Sequence, residues 1–167
     1  MRVRLRQFLL DWAAPVVSVA ASAGVALAGA VATRLGPWYE KLRKPSWKPS
    51  DRLFGPVWTG IFGTIAASGT LAWRRAETPA ERRTVIGLFA GNGALNILWS
   101  VLFFTLRRPD WALAEVVPLW LSILALVVAL YPISRAASLL LLPYLAWVGF
   151  AGFLNRAIVR LNAPFTA

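Results

Sequence analysis

The 167-residue chain contains no histidine and no cysteine, and its only methionine is Met1. These side chains supply most protein ligands for zinc, copper and haem iron, and they form the usual Cys- or His-based catalytic triads, so the sequence excludes such sites. Disulfide bonds are equally impossible. The seven acidic residues are scattered, which disfavours a calcium or magnesium cage and a catalytic carboxylate pair. We therefore expect no bound metal and no required cofactor.

Charge is also scarce: 15% of the residues are charged and 58% are hydrophobic, with a mean hydropathy of +0.60. In a soluble protein the net charge of +11 would indicate nucleic-acid binding. Here the lysines and arginines form short clusters between long uncharged runs, a pattern typical of helix ends that contact anionic lipid headgroups. We therefore expect the lipid bilayer as a partner, and no nucleic acid.

Five segments lack charge and reach the length of about 20 residues that spans a bilayer. Because lipid cannot satisfy open backbone polar groups, each segment is predicted to be an α-helix. The sequence thus predicts an all-α fold, an integral membrane bundle of five transmembrane helices that forms one domain over residues 1–167. The predicted helices cover about residues 12–33, 53–73, 84–106, 111–134 and 136–158.

The first segment has an alternative interpretation as a secretory signal, because Arg2, Arg4 and Arg6 precede an apolar run that contains the Ala-Leu-Ala tripeptide at 26–28. The length of the run, with Pro15 near its start, favours a transmembrane helix. Lysines and arginines divide eight to ten between the two predicted sides of the membrane, so the positive-inside rule does not fix the orientation.

The connection at residues 34–52 is long for a compact bundle, and long loops often act as lids. Two Lys-Pro steps, at 44–45 and 48–49, restrict its backbone to extended conformations. We interpret this loop as a lid over the helix ends. The alternative is that its aromatic residues belong to an interfacial belt. The aromatic residues concerned are Trp38, Tyr39 and Trp47.

Aromatic and amide side chains recur at helical spacing on three of the predicted helices. Asparagine is costly when it faces lipid, so these faces should point into the bundle. Stacking surfaces beside amides suit a pocket for a flat polycyclic ligand. The asparagines have an alternative role in holding helices together. The residues are Trp58 and Phe62 on the second helix, Asn92, Asn96, Trp99 and Phe103 on the third, and Tyr144 and Trp147 on the fifth.

Two further features lie within predicted spans. Glu115 is an acid one turn inside the fourth helix, where it would act as a proton relay or ligand contact, or would reach water or a loop arginine. Gly87 and Gly91 have the GxxxG spacing that lets two helix backbones approach closely. The second helix of that contact would belong either to a partner subunit or to the same bundle.

Residues 38–58 contain Trp38-Tyr39, Leu42, Lys44-Pro45, Trp47, Pro49 and Trp58, and this pattern resembles the W-Y-x-x-L-x-K-P-x-W-x-P…W signature of the TspO/MBR family. The family comprises bacterial tryptophan-rich sensory proteins and the mitochondrial translocator protein. The similarity covers about residues 36–162. It continues through Asn96 with Trp99, Phe103-Phe104, the segment 111–115, Pro143-Tyr144 with Trp147, and Leu161-Asn162.

The resemblance implies a homodimer with Gly87 and Gly91 at the interface, and a pocket closed by the first loop. The implied function is a membrane receptor or transporter for tetrapyrroles, with protoporphyrin IX as the ligand, in the bacterial cytoplasmic membrane. The alternatives are an enzyme that degrades porphyrin under light, for which Trp58 and Trp147 are the catalytic candidates, and a scaffold without a ligand. The full set of candidate ligand-binding residues is Tyr39, Trp47, Phe54, Trp58, Phe62, Asn92, Asn96, Trp99, Tyr144 and Trp147.

The sequence departs from the family pattern at two points. The family's Pro-Pro pair after the loop tryptophan is Pro49-Ser50 here. Eukaryotic members carry a proposed sterol motif with a tyrosine near the end of the fifth helix, but no tyrosine follows Tyr144 in this chain. We therefore do not expect sterol binding.

Overall fold

A computed structural model describes residues 2–33 and 35–165, with side chains described from Ala13 onward. All of the regular secondary structure in these residues is helical, which confirms the predicted fold class. The helices are α1 (Arg2–Ala32), α2 (Pro37–Lys41), α3 (Asp51–Arg75), α4 (Pro79–Ser100), a π-helical turn (Val101–Thr105), α5 (Pro109–Leu130), α6 (Arg135–Leu139) and α7 (Leu142–Asn162).

Four helical stretches are long and apolar enough to cross a membrane: Ala13–Ala32, Pro79–Thr105, Pro109–Leu130 and Arg135–Asn162. The fifth long helix, α3, has 25 residues and extends for about 37 Å, so it is also long enough. It carries glycine, threonine and serine along its length, which lowers its hydropathy. It packs into the bundle as the second of the five long helices.

The five long helices form a ring in the order α1, α3, α7, α5, α4. The helix α1 packs closely on both of its neighbours at glycines, since a Cβ atom at Gly93 would lie 3.0 Å from Val25 and one at Gly69 would lie 3.3 Å from Ser18 Oγ. By contrast, α3 and α7 meet over only a short stretch. The ring is therefore least tightly joined between α3 and α7.

Several predicted boundaries were wrong. The helix α1 begins at Arg2 instead of residue 12. The residues before the apolar run include arginine, leucine and glutamine, which favour helix and extend it toward the N-terminus. The helix α4 begins at Pro79 instead of residue 84, where Thr78 and Glu81 form a capping box. The prediction took only segments without charged residues as helices, so it left out these polar helix ends.

The predicted single helix at 136–158 was also wrong, because the structure has α6 and α7 in its place. Pro143 has no backbone N–H group and its ring crowds the carbonyl group four residues earlier, so the helix is interrupted at residues 140–141. The preceding helix, α5, ends at Leu130 instead of residue 134, and Pro132 lies in the turn that follows. Serine 134 then caps α6 by accepting a hydrogen bond from the backbone of Ala137.

Candidate functional site

The lid, defined here as residues 35–50, lies against the bundle through aromatic contacts. Its short helix α2 places Tyr39 in the interior, with its ring centroid 5.7 Å from that of Phe104. The ring of Trp38 meets Phe103 edge-on at 6.2 Å. Both phenylalanines belong to the π-helical turn, whose wider winding places successive aromatic rings toward the lid. The lid and the turn therefore form one aromatic layer.

Charged groups hold the lid to the start of α3. The hydroxyl group of Tyr39 donates a hydrogen bond of 2.9 Å to the Asp51 carboxylate, and Lys48 Nζ donates one of 2.6 Å to the same oxygen. Burial favours the neutral form of Asp51, but the hydrogen bonds from Lys48 and Tyr39 outweigh it and hold its pKa below the usual value. Burial, together with the hydrogen bond to Asp51, raises the pKa of the Tyr39 hydroxyl. The Tyr39 hydroxyl group therefore keeps its proton and donates a hydrogen bond to Asp51.

Lys44 stabilises the lid through contacts with Tyr39, which is also a lid residue. Its Nζ atom donates a hydrogen bond of 2.6 Å to the backbone carbonyl of Tyr39 and lies 4.4 Å from the centroid of that ring. Burial, followed by repulsion from Lys48, lowers the pKa of this ammonium group. The Lys44-Pro45 step thus connects a fixed ammonium group to a restricted backbone.

The middle of the lid is also tied to the end of α7. The side-chain amide of Asn162 accepts a hydrogen bond from the backbone N–H of Arg43 and donates one to the carbonyl of Arg43, each 2.8 Å long. The amide therefore pairs with the backbone as a neighbouring strand would. Asn162 was part of the family resemblance, but no role could be assigned to it from the sequence, because its partner is 119 residues away.

A run of aromatic rings continues from the lid into the bundle. The ring centroids of Trp47 and Phe150 are 6.0 Å apart, those of Phe150 and Trp147 are 5.4 Å apart, and those of Trp147 and Phe54 are 5.5 Å apart. Tryptophan 47 is 51% exposed at the outer end of this run. Three predicted ligand-binding residues, on the lid, α3 and α7, are therefore brought together. Phenylalanine 150 joins them and was missed because it lies three residues beyond Trp147 on a helix face rich in apolar residues.

Trp58 lies on α3, about one helical turn beyond Phe54. Its ring lies 5.5 Å from Phe62 on the same helix and 6.2 Å from Tyr144 on α7, measured between centroids. Trp58 and Trp147 both pack against one buried cluster, which includes Ile61 and Val148. Indole rings from α3 and α7 thus border the same interior, and neither is fully buried.

The predicted asparagines form a buried network with Tyr144. Asn96 donates a hydrogen bond of 3.0 Å to the Tyr144 hydroxyl, which donates one of 3.2 Å to Asn92 Oδ1. The side-chain amide of Asn92 also donates to Ser122 Oγ at 2.8 Å. The network links α4, α5 and α7. In this arrangement the asparagines hold helices together and also form the polar side of the interior.

A groove opens between α3 and α7, where the ring of helices is least tightly joined. Its cavity volume is about 440 Å³, and its walls are apolar except for Thr64. Trp147 and Phe150 form its inner wall, and Gly60 and Ala146 leave space on either side. The groove therefore gives an apolar path between the membrane side of the bundle and the aromatic run.

Two further features were singled out in the sequence, the glycine pair and Glu115. Gly87 and Gly91 are exposed on α4, and an added Cβ atom at either would meet no described atom within 4 Å. The close helix contact that their spacing predicts is therefore not made within the bundle that the structure describes. Glu115 is buried, and neither of its carboxylate oxygens has a hydrogen-bond partner among the described residues. The alternative in which it reaches a loop arginine is not observed.

Comparison with known proteins agrees with this architecture. The model of the TspO/MBR family matches residues 16–161. The chain is 43% identical over 130 residues to the tryptophan-rich protein TspO of Chlorobaculum tepidum, with 75% of this chain and 79% of that protein covered. It is 38% identical to the tryptophan-rich protein TspO of Archaeoglobus fulgidus, with coverage of 89% and 96%, and 37% identical to the human translocator protein, with 75% of each covered. The matched region includes the lid, all of α3, α4 and α5, and most of α1 and α7, and the chain therefore belongs to the TspO/MBR family.

Proposed function

We propose that this chain is a membrane receptor with a sensory or translocator role, and that it binds protoporphyrin IX or a similar flat tetrapyrrole. The names of its relatives, which include a translocator protein and the tryptophan-rich sensory protein of Cereibacter sphaeroides, support the membrane role. The observation that carries the ligand class is the continuous run of aromatic rings from Trp47 to Phe54, beneath a lid held by Asp51 and Asn162. Flat π-systems stack on such surfaces.

The chemistry of the chain favours a metal-free macrocycle. The sequence has no histidine or cysteine to serve as an axial ligand of haem iron, and its one methionine is Met1. Binding therefore rests on stacking, on amide hydrogen bonds and on attraction between the propionate groups and lysine or arginine. Lysines and arginines around the lid supply that attraction, whereas the groove between α3 and α7 supplies an entrance for a ligand dissolved in the bilayer.

The test is a titration of the purified protein with protoporphyrin IX, haem and cholesterol, followed by quenching of tryptophan fluorescence. We expect saturable quenching by protoporphyrin IX, with an affinity that equals or exceeds that for haem, and no saturable response to cholesterol. Trp58→Phe and Trp147→Phe should weaken the binding of protoporphyrin IX. The matched control is Trp111→Phe, since Trp111 is exposed and stacks on Arg108 with the guanidinium carbon 4.2 Å from the ring centroid.

The same samples separate the alternative functions. Illumination of the complex would yield a new tetrapyrrole product in the wild type, and not in the Trp58 or Trp147 variants, if the chain acts as a photochemical enzyme. Absence of quenching by any tetrapyrrole would leave a structural scaffold as the remaining interpretation. Cell fractionation would show whether the host membrane is the bacterial cytoplasmic membrane.

A further inference from the structure

The end of the bundle opposite the lid carries a second cavity, of about 520 Å³. It lies between the last turn of α3, at Arg75, and the connection from α5 to α6, where Tyr131 and Arg135 line it. Asp51, which holds the lid, is at the other end of α3, so the cavity and the lid are separated by the length of that helix, about 37 Å. Because two membrane-spanning helices end here, the cavity lies where the bundle leaves the membrane.

The cavity is lined by two guanidinium groups, those of Arg75 and Arg135, and by no acidic residue among those that the structure describes. Neither arginine forms an ion pair with any described side chain. The carboxylate of Glu81, at the same end of the bundle, accepts hydrogen bonds from the backbone N–H groups of Glu77 and Thr78 instead. A guanidinium group always carries its positive charge in proteins. The two arginines therefore repel each other, and a bound anion would offset that repulsion.

Two buried serines fix the walls of this cavity. Ser68 on α3 donates a hydrogen bond of 2.7 Å to a backbone carbonyl of α6, and Ser138 on α6 donates one of 2.7 Å to a backbone carbonyl of α5. These bonds hold the backbone that carries Arg135 against the helix that carries Arg75. The guanidinium carbon of Arg135 lies 5.5 Å from the centroid of the Tyr131 ring, which restricts its direction. The cavity is thus formed before any ligand binds.

Apolar side chains lead away from the cavity along the membrane side of the bundle. Val128 lies three residues before Tyr131, whose backbone continues the helical conformation of α5, and Leu139 lies four residues after Arg135 on α6. These spacings place each apolar residue on the helix face of its cavity residue. Both Val128 and Leu139 are exposed. An ion from water gains nothing from such surfaces, whereas a phospholipid with its phosphate in the cavity lays its acyl chains against them.

We propose that this cavity binds the phosphate group of an anionic phospholipid, and that Arg75 and Arg135 are the residues that bind it. Guanidinium groups form paired hydrogen bonds to phosphate oxygens, and basic cavities at the ends of membrane helices recognise anionic headgroups. A zwitterionic lipid adds a third cation beside the two arginines, so the site prefers an anionic lipid. The inference is independent of the proposed tetrapyrrole binding, because the cavity lies at the other end of the bundle.

The test is a titration of the purified protein with phosphatidylglycerol and with phosphatidylcholine of the same acyl chains, followed by native mass spectrometry. Wild-type protein should bind phosphatidylglycerol about tenfold more tightly. Arg75→Gln combined with Arg135→Gln should bind the two lipids equally, and it should bind protoporphyrin IX as the wild type does. The matched control, Arg83→Gln with Arg156→Gln, removes the same charge at exposed positions outside the cavity and should keep the preference.

Glycerol 3-phosphate separates a lipid from a soluble phosphate ester, because it has the phosphate without acyl chains. It should not displace phosphatidylglycerol at equal concentration, and equal competition would show a site for soluble phosphate esters instead. If the double variant does not fold, Arg75→Gln alone, at an exposed helix end, should lower the preference severalfold. Equal binding of the two lipids by the wild type, or an unchanged preference in a folded variant, would overturn the lipid site.

Discussion

Tyr144 shows how one residue serves both the framework and the site. Its side chain is 1% exposed, its hydroxyl group bonds to two asparagines of α4, and its ring forms an edge-on contact with Trp58. Aromatic residues can do this because the ring is apolar while the hydroxyl group needs a partner. The position of Trp58 thus depends on the hydrogen bonds that hold α4 and α7 together.

Tyr144→Phe should destabilise the bundle by about 1–3 kcal/mol, because it leaves Asn92 and Asn96 buried without this shared partner. Thermal unfolding in detergent would measure the loss. Tyr131→Phe is the matched control, since Tyr131 is 50% exposed and should change the unfolding temperature very little. If the two variants behave alike, the network contributes little to stability.

Asp51 should make lid closure depend on pH. Its pKa is lower in the folded lid than the value of about 3.9 for a free side chain. Its stabilising effect is therefore present above that value and is lost as pH falls through the lowered pKa. A fluorophore at Ser46→Cys, a unique site in a chain without cysteine, should become more mobile as the solution is acidified below about pH 4. In Asp51→Asn the lid should be mobile at neutral pH, and this acid transition should disappear.

The sequence predicted which side chains face the interior better than it predicted their hydrogen-bond partners. The cost of exposing an amide to lipid predicted that Asn92 and Asn96 lie in the interior, where the structure has them. It could not show that Tyr39 donates to Asp51 or that Asn92 donates to Ser122, because these contacts depend on how separate elements pack. The roles of the residues in ligand binding stay predictions.

The long helices could be predicted from the sequence, whereas two local features of the helices could not. Long uncharged runs predicted all five long helices, because the bilayer requires both length and apolar character. The interruption before Pro143 was missed, since the uncharged run continues straight through it. The π-helical turn was also missed, because its extra residue is accommodated by packing between α4, α5 and the lid and has no signature in hydropathy.

The lid should depend on its attachment to α7. Asn162→Ala removes both hydrogen bonds to Arg43 but lies outside the aromatic interior, so we expect the lid to be cleaved more readily by trypsin while the bundle unfolds at nearly the same temperature. Affinity for protoporphyrin IX should fall severalfold. Arg160→Ala, an exposed change on the same helix end, provides the control. An unchanged cleavage rate would mean that the aromatic layer alone fixes the lid.

The outer surface of α4 offers a place for a second copy of the chain. Gly87 and Gly91 leave the helix backbone open there, and small residues allow close helix contact where lipid provides no hydrophobic drive. The asparagine network lies on the inner face of the same helix. One helix can therefore contact a partner subunit without disturbing its own interior.

We accordingly expect a homodimer with α4 at its interface. Gly87→Leu combined with Gly91→Leu should yield monomers in detergent, measured by light scattering, that still quench with protoporphyrin IX. Gly24→Leu with Gly55→Leu, at glycines with equally open surroundings on other helices, should remain dimeric. A double variant at 87 and 91 that stays dimeric would place the interface elsewhere, and one that unfolds would show a role within the subunit.

The bond between Asn162 and Arg43 also affects how the protein is made. A ribosome synthesises Arg43 first and Asn162 119 residues later, after the intervening helices have entered the membrane. Until then the lid lacks this attachment to the bundle. Ligand capture would therefore begin only after α7 has been synthesised, so that chains truncated before Asn162 would occupy the membrane without withdrawing ligand from it.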